Sequence, residues 1–491
     1  VRSRGLGDVY KRQIVLWSIN MEAKVKLPPL LSDNMVLQQK SNVRIWGKAT
    51  PNSTVVVTPS WANKEVKTHA DEKGCWELQI TTPAASFEEY TLTLTDGEQS
   101  VTLQHLLIGE VWLCAGQSNM VMPLNGFDYC PISDSNNVIA DAPNHPGIRM
   151  VTIKPTVKLS PQEYAEGSWQ QPTTENAPKF SAAAYHYALT LQRTLQIPIG
   201  VITCAWGGSR VEGWLPKEIL QTYKDEDLTL IGSDKTPVYL QSMLMYNGIL
   251  YPCHKYTIKG FIWYQGESNV RSSRTYAERL ATMVKHWRSI WKQGDLPFYY
   301  VETVPFACEY KEDGYIGALL REAQQKALSL IPNSGMIGTN DLVETYEAPQ
   351  VHPHNKKGIG ERLAYMSLNK TYGYQGIESE YPSYKSMKIN GETIEISFSH
   401  AEKGLSPWMN ISGFEIAGSD KVFYPAEASL NQKDHTVIVK SPTVKSPVAV
   451  RYCFRNFLKG NLINTRNLPV RPFRTDKWLS LIHISEPTRP Y

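Results

Sequence analysis

The sequence predicts an α/β protein in which a doubly wound parallel sheet is flanked at both ends by β-sandwich-type domains. In the middle of the chain, buried-strand patterns alternate with helical patterns, and short alternating strand patterns fill both flanks. The chain has 491 residues, whereas a domain usually holds about 100 to 200. We therefore expect three units, over residues 24–107, 108–374 and 375–478.

Both flanking regions show the two-residue periodicity of half-buried strands. In the first flank the clearest runs are 54–58 and 90–95, and Asp96-Gly97 is a hairpin signal. In the last flank the runs are 393–398, 436–440 and 448–454, with a second hairpin signal at Asn390-Gly391. These patterns indicate two antiparallel β-domains.

The central region alternates apolar runs with helical periodicity. The expected strands are 111–114, 199–204, 258–264, 298–303 and 335–338, and the expected helices are 181–195, 274–291 and 317–330. Parallel strands need helical crossovers of this kind, and right-handed crossovers build a doubly wound sheet.

The two ends of the chain differ from the rest. Residues 1–13 and 479–491 have neither apolar periodicity nor turn signals, and they look like translated adapter sequence. We exclude both from fold reasoning as non-native tails. Residues 14–23 form a short apolar run of the kind left by a truncated signal peptide.

Composition excludes several classes of function. The formal charge is +4, but residues 1–13 alone hold four basic residues and one acidic residue, so the remainder is nearly neutral. Such a balance gives no reason to expect a nucleic acid or an anionic membrane as partner. No run approaches the roughly 20 apolar residues of a membrane span. The seven cysteines include no CxxC pair, so no zinc site is indicated, and one disulfide is left open.

The most informative stretch is 109–120, GEVWLCAGQSNM, which places Ser118 where an apolar strand gives way to a tight polar turn. Ligands tend to bind at the carboxyl ends of strands in such sheets. Ser118 is therefore a candidate nucleophile, and a plain helix cap is the alternative.

Four blocks then occur in a recognisable order. They are GQSNM at 116–120, AWGGSRVEGWLP at 205–216, GFIWYQGESN at 260–269 and VHPHNKKGIGERLA at 351–364. This set resembles the SGNH hydrolases in the form carried by the sialate O-acetylesterase family, and the resemblance runs from about Val25 to Trp478. It implies a flavodoxin-like sheet and a serine esterase that removes acetyl groups from carbohydrates through an acetyl-serine. It also implies an O-acetylated carbohydrate as partner and no metal or organic cofactor.

A serine hydroxyl must be activated by a base within hydrogen-bond reach, and histidine is the usual one. His352 lies in a loop before the helix expected near Lys356, at the same sheet edge as Ser118. His354 is its rival. The family pattern, a histidine and proline followed by an Asn-Lys pair, favours His352.

Many serine esterases add an acidic residue to the serine and histidine, which completes a catalytic triad. For this acid the sequence departs from the family pattern. Many SGNH hydrolases place an aspartate three residues before the histidine, where this chain has Pro349. The candidate acids are Asp341, Glu344, Glu347 and Glu267, of which we favour Asp341. A Ser-His dyad whose histidine is held by a backbone carbonyl is the alternative.

The developing oxyanion needs hydrogen-bond donors. The resemblance implies the backbone amides of Ser118 and Gly208, together with the side-chain amide of Gln265 in the place where SGNH hydrolases commonly have an asparagine.

Several residues in the blocks are candidates for sugar binding. Flat rings suit the apolar face of a sugar. Trp206, Trp214, Trp263 and Tyr264 are therefore candidates, with core packing as the alternative for each. Arg210 could pair with a carboxylate such as that of sialic acid, and Asn269 is a further candidate contact.

The resemblance leaves several questions open. Export to the periplasm or the medium is expected, with a cytoplasmic protein starting at Met21 as the alternative. A catalytically weak or inactive carbohydrate-binding protein and an esterase of another acyl class are the competing functions. The substrate could be an O-acetylated sialic acid or an acetylated polysaccharide such as xylan.

Overall fold

The computed structural model of the chain describes residues 25–62 and 64–478. The expectations for residues 1–13, 14–23 and 479–491 lie outside these ranges. Within them, no helix has both the length and the apolar character needed to cross a bilayer.

The described part of the chain begins with a layered β region. Its strands are β1 Val36–Gln38, β2 Asn42–Lys48, β3 Thr54–Pro59, β4 Val66–His69, β5 Cys75–Thr81, β6 Ser86–Thr95 and β7 Ser100–Gly116. β2 and β5 form an antiparallel ribbon, while β4, β3, β6 and the first part of β7 form an antiparallel sheet. Apolar side chains of both layers share one core, which explains the strict alternation of burial along β5.

β7 joins this region to the parallel sheet. Its first half pairs with β6, up to Ile108, and its second half, from Glu110, pairs in parallel with β9 and β10. The burial pattern changes accordingly, from mixed to fully buried on both faces. The expected division at residues 107 and 108 thus falls inside one continuous strand, and our three-unit division stays a proposal.

The central sheet is completed by β8 Ile148–Thr152, β9 Ile199–Ala205, β10 Gly260–Tyr264, β11 Phe298–Val301 and β12 Ser334–Ile337. The strands lie in the order β12-β11-β10-β7-β9-β8, and all neighbours are parallel. Leaving out the edge strand β8, this is the flavodoxin-like order that we expected. The sequence pattern did not reveal β8.

The helices of this region are α1 Ser118–Val121, α2 Ser135–Asp141, α3 Ala182–Leu195, α4 Lys217–Leu220, α5 Ser273–Trp291, α6 Ile316–Leu330 and α7 Lys356–Lys370. Apolar residues of α3 and α7 share a core on one face of the sheet, and those of α5 and α6 share a core with the other face. The prediction of a doubly wound α/β sheet is therefore confirmed.

The last region contains β13 Ser383–Asn390, β14 Thr393–Ser399, β15 Leu405–Ser406, β16 Phe414–Ala417, β17 Phe423–Pro425, β18 Glu427–Asn431, β19 Thr436–Lys440, β20 Ala449–Tyr452, β21 Ile463–Asn464 and β22 Phe473–Arg474. Two four-stranded antiparallel sheets, β13-β14-β19-β18 and β17-β16-β20-β22, enclose an apolar core. This sandwich is fixed to α6, where Asn456 accepts a hydrogen bond from the amide of Gly317 and Arg474 pairs with Glu322.

Candidate active site

Ser118 lies at the centre of the carboxyl edge of the parallel sheet. β7 ends at Gly116, whose φ is +143°, and a Cβ on this residue would lie 2.1 Å from the carbonyl oxygen of Tyr264. Only glycine fits this approach. The Gln117 side chain then accepts a hydrogen bond from the amide of Gly266, which ties the turn to the loop after β10. Ser118 follows as the first, partly exposed residue of α1.

The structure brings His352 to Ser118. The imidazole lies in the loop between β12 and α7, and its Nε2 is 2.8 Å from Ser118 Oγ. Burial and the charge of Lys356 lower the pKa of His352 to about 4. The ring is therefore neutral at pH 7, which is the form that accepts a proton.

A buried set of polar side chains clamps the backbone on both sides of His352. Asn119 Nδ2 donates to the carbonyl of Val351 at 3.0 Å, and Lys356 Nζ donates to the carbonyl of Pro353 at 2.6 Å. Lys356 Nζ also donates to Asn119 Oδ1 at 2.9 Å, so the two halves of the clamp are joined. Burial lowers the pKa of Lys356 to about 7. The residue after the serine thus holds the loop that carries the histidine.

None of the four candidate acids hydrogen-bonds to His352. Asp341, which we favoured, instead receives two hydrogen bonds from Arg362, at 2.7 and 2.6 Å. This expectation is corrected, because the arginine on α7 draws the carboxylate away from the histidine.

The three glutamates are also engaged elsewhere. Glu344 pairs with Lys459, Glu347 accepts from His354 Nδ1 at 2.7 Å, and Glu267 accepts from Asn119 Nδ2 at 2.7 Å. Burial raises the pKa of Glu267. Glu267 therefore supports the clamp around His352.

The second block, residues 205–216, lies beside Ser118. A Cβ on Gly207 would be 3.7 Å from the Cβ of Ser118. Gly208 has φ +73°, and a Cβ there would lie 2.6 Å from the ring of Tyr239, so the turn needs glycine. Among the described residues, the amides of Ser118 and Gly208 donate to no other backbone oxygen. Both are therefore available to an incoming oxyanion.

Gln265 does not take the expected place in an oxyanion hole. Its Nε2 donates to the carbonyl of Ser209 at 3.0 Å and to Asn269 Oδ1 at 2.7 Å, which uses both amide hydrogens. Its Oε1 accepts from Tyr276 at 2.9 Å. Gln265 is fully buried, so its amide serves to hold the second block and the loop after β10 together.

Of the six candidate sugar contacts, the two non-aromatic ones, Arg210 and Asn269, bind other parts of the protein. Asn269 is buried and accepts from the amide of Val211 at 2.9 Å, so it holds the second block in place. Arg210 donates to both oxygens of Glu226, at 3.3 and 2.5 Å. Trp206 is half-buried, and of the six candidates it is the one that lines the cavity described below.

The three other aromatic candidates, Trp214, Trp263 and Tyr264, are fully buried. For them the alternative of core packing is correct. Trp214 and Trp263 pack edge to face at 5.5 Å between ring centroids.

A cavity of about 620 Å³ lies close to the Ser118–His352 pair: neither residue lines it, but Gly207, beside Ser118, and Phe127, beside His352, do. Trp206, Gly207, Phe127 and Lys179 line it, and the ring of Phe127 packs edge-on against His352 at 5.2 Å between centroids. Apolar walls with a few polar groups are typical of small-molecule sites.

The sequence reasoning missed Phe127 and also Cys130, which lies behind the histidine. Neither belongs to a recognisable block. Asn119 directly follows Ser118 and Lys356 is four residues after His352 in the fourth block, and this placement was the available signal. No group of three or more metal-ligating side chains is clustered in residues 25–62 and 64–478.

A flavodoxin-like sheet with a serine and a histidine in hydrogen-bond contact at its carboxyl edge is the arrangement of an SGNH-type hydrolase. The family profile described as carbohydrate esterase, sialic acid-specific acetylesterase, matches residues 108–369. The chain belongs to this family and is a carboxylic ester hydrolase.

Individual relatives agree with this assignment. A solved carbohydrate acetylesterase from Xanthomonas citri is 32% identical, with a TM-score of 0.83 over 92% of this chain and 100% of that one. The sialate O-acetylesterase of Homo sapiens is 26% identical over 387 residues, 72% of each chain. That of Mus musculus is 24% identical over 485 residues, 86% of this chain and 88% of its own. These likenesses support acetyl ester hydrolysis on sugars.

Proposed function

We propose that this protein hydrolyses acetyl esters on carbohydrates through an acetyl-serine intermediate. The observation that carries the proposal is the 2.8 Å contact between Ser118 Oγ and His352 Nε2 beside an open cavity. A neutral imidazole at this distance can remove the hydroxyl proton as the oxygen attacks, which makes a weak nucleophile effective.

Each half of the reaction uses the same groups. Ser118 Oγ attacks the acetyl carbon while its proton passes to His352 Nε2, and the amides of Ser118 and Gly208 donate to the oxyanion. When the tetrahedral intermediate collapses, His352 gives this proton to the leaving sugar oxygen. A water molecule then loses a proton to His352 and attacks the acetyl-serine. Collapse of the second intermediate returns the proton from His352 to Ser118 and releases acetic acid, which ionises to acetate.

The cavity supports a sugar as the alcohol part of the ester. Trp206 and Phe127 offer ring faces or edges to a pyranose, and Asn125 offers a polar group for its hydroxyls. The exposed Lys179 lines the same space. Since Arg210 is held by Glu226, Lys179 is the better candidate to contact a sugar carboxylate such as that of sialic acid.

Acetate release tests the proposal directly. The purified protein should hydrolyse p-nitrophenyl acetate much faster than the octanoate ester. Mass spectrometry of a rapidly quenched reaction should show one acetyl group on the peptide that contains Ser118. Absence of turnover would favour a binding protein without catalytic activity, and a preference for octanoate would assign another acyl class.

A panel of acetylated glycans tests the substrate. An O-acetylated sialic acid and acetylated xylan should be compared for the wild type and for Lys179→Met. If the natural substrate is acidic, the variant should lose activity on the sialate and keep activity on xylan and on the aryl acetate. Equal rates on the sialate for both proteins would remove Lys179 from the proposal.

A further inference from the structure

The rear nitrogen of the His352 imidazole faces a sulfur atom. Nδ1 lies 4.0 Å from Cys130 Sγ, the outer limit of a hydrogen bond to sulfur. In a serine, histidine and aspartate triad, a carboxylate occupies this position and selects the tautomer of the histidine. Here the nearby carboxylates are bound to Arg362, Lys459, His354 and Asn119 instead.

The thiol is held in a defined orientation. Cys130 is 8% exposed, and its backbone exchanges two hydrogen bonds with Phe127, at 3.0 and 2.9 Å. Its Sγ donates to Gln350 Oε1 at 3.5 Å, and Gln350 Nε2 in turn donates to the carbonyl of Tyr129 at 3.2 Å. With the S–H directed to Gln350, a sulfur lone pair faces the imidazole.

The clamp formed by Asn119 and Lys356 fixes the backbone on either side of His352, but it touches neither ring nitrogen. It therefore cannot decide which nitrogen carries the proton. Lys356 is the charged group that lowers the pKa of the ring. Glu267 bonds to Asn119, and the carboxylate of Glu347, which belongs to the same loop, bonds to His354 and to the amide of Glu344. The tautomer needs a separate partner at Nδ1.

We infer that Cys130, oriented by Gln350, is the positioning residue that stands where a triad carboxylate would stand. Its sulfur accepts a hydrogen bond from Nδ1–H, so the Nε2 lone pair faces Ser118. Gln350 lies one residue after the position of the family aspartate, Pro349. This inference rests on the proposed function, because it assigns a partner to the base of that reaction.

Nuclear magnetic resonance tests the tautomer without any need for activity. Protein labelled with ¹⁵N-histidine should show His352 protonated at Nδ1 at neutral pH, and Cys130→Ala should shift the signals toward a mixture of tautomers. A His352→Gln variant assigns the resonance. An unchanged tautomer in Cys130→Ala would overturn the inference whether or not the protein is an esterase.

Steady-state kinetics of the same variant provide a second test. Loss of one neutral hydrogen bond predicts a drop of about tenfold in kcat for Cys130→Ala on an aryl acetate, with KM and melting temperature nearly unchanged. Cys75→Ser, at an exposed cysteine of β5, is the matched control and should behave as the wild type. A drop in melting temperature with wild-type kcat would show a packing role only and overturn the inference.

The pH profile of a Cys130→Asp variant distinguishes a positioning role of Cys130 from a role in packing alone. A carboxylate beside the imidazole favours its protonated form, so the acidic limb of the pH profile should move upward by about 1 to 3 units. If the Cys130→Asp protein folds and the acidic limb of its pH profile lies at the wild-type pH, the inference is contradicted. If the wild type has no activity on aryl acetates, the proposed function fails, and the tautomer measurement still decides the role of Cys130.

Discussion

His352 and His354 are two residues apart in one loop, yet their side chains have different hydrogen-bond partners. His352 faces the Ser118 hydroxyl and has no carboxylate within reach, whereas His354 donates to the buried carboxylate of Glu347 and stacks on Tyr346. The histidine with the carboxylate is thus not the one that faces the serine.

This contrast shows that a histidine with an acidic partner is not by itself a catalytic pair. Glu347 also accepts hydrogen bonds from the amides of Glu344 and His354, which shapes the loop. Burial alone would raise the pKa of Glu347, but these bonds and His354 hold it below its usual value. The Glu347 carboxylate therefore holds the shape of the loop, whereas the His352 ring contacts Ser118.

The largest effect is expected where the serine and its base are removed. Ser118→Ala and His352→Ala should each lower kcat on an aryl acetate by about 10⁴-fold or more, and the double variant should be no worse, because the two act as one unit. His354→Ala should stay within about tenfold of the wild type, the loss that one hydrogen bond can explain. Steady-state kinetics check all four, and the reverse ranking would transfer the base to His354.

The next effect is expected at the clamp. Lys356→Met removes two hydrogen bonds from a charged donor and should lower kcat by about 10- to 100-fold. It also removes the positive charge that lowers the pKa of His352. Because the base works only when neutral, the acidic limb of the kcat/KM profile should move to higher pH. Lys357→Met, at the exposed neighbouring lysine, should change neither quantity.

A smaller effect, on stability and not on chemistry, is expected for Asp341→Asn. The change breaks the paired hydrogen bonds with the nearly buried Arg362 and should lower the free energy of unfolding by about 2 kcal/mol. Denaturant unfolding measures this loss, with the exposed Glu344→Gln as control. A fall of orders of magnitude in kcat for Asp341→Asn would restore it as the acid that orients His352.

The smallest effect is expected for Glu347→Gln, which should leave kcat near the wild-type value. Since the folded protein lowers the pKa of Glu347, its carboxylate adds stability above the pKa of the unfolded chain. That contribution disappears as the pH falls through the folded value. The variant should therefore be less stable than the wild type by about 1 kcal/mol at pH 7 and equal to it in acid. A constant difference across the pH range would show that charge is not involved.

Much of the fold could be predicted because periodicity is a local property. Helices expected at 181–195, 274–291 and 317–330 are found at Ala182–Leu195, Ser273–Trp291 and Ile316–Leu330. Both hairpin signals were also correct, since Gly97 and Gly391 adopt positive φ between paired strands. The edge strand β8 was missed because its short run, Ile148–Thr152, stands alone between polar segments.

Site residues could be predicted only where the adjacent strand or helix in the sequence fixes their position at the edge of the sheet. Ser118 follows a buried strand and His352 precedes a helix, so the sheet alone brings them to one edge. Asp341 also follows a strand, but its partner was decided by Arg362, 21 residues further on. Gln265 was misplaced for the same reason, because Ser209 and Asn269 compete for its amide hydrogens.

By itself, the sequence determined the α/β architecture, the flanking β-domains and the place of Ser118 after a buried strand, because these depend on strand order and local pattern. The choice of His352 over His354 came from the family resemblance. Only the tertiary structure decided which polar group each side chain binds. Burying a polar group without a hydrogen-bond partner is costly, and the partners of Asp341 and Gln265 come from distant parts of the chain. The sulfur behind His352 is such a case, since Cys130 and His352 are 222 residues apart in the chain and 4.0 Å apart in the fold.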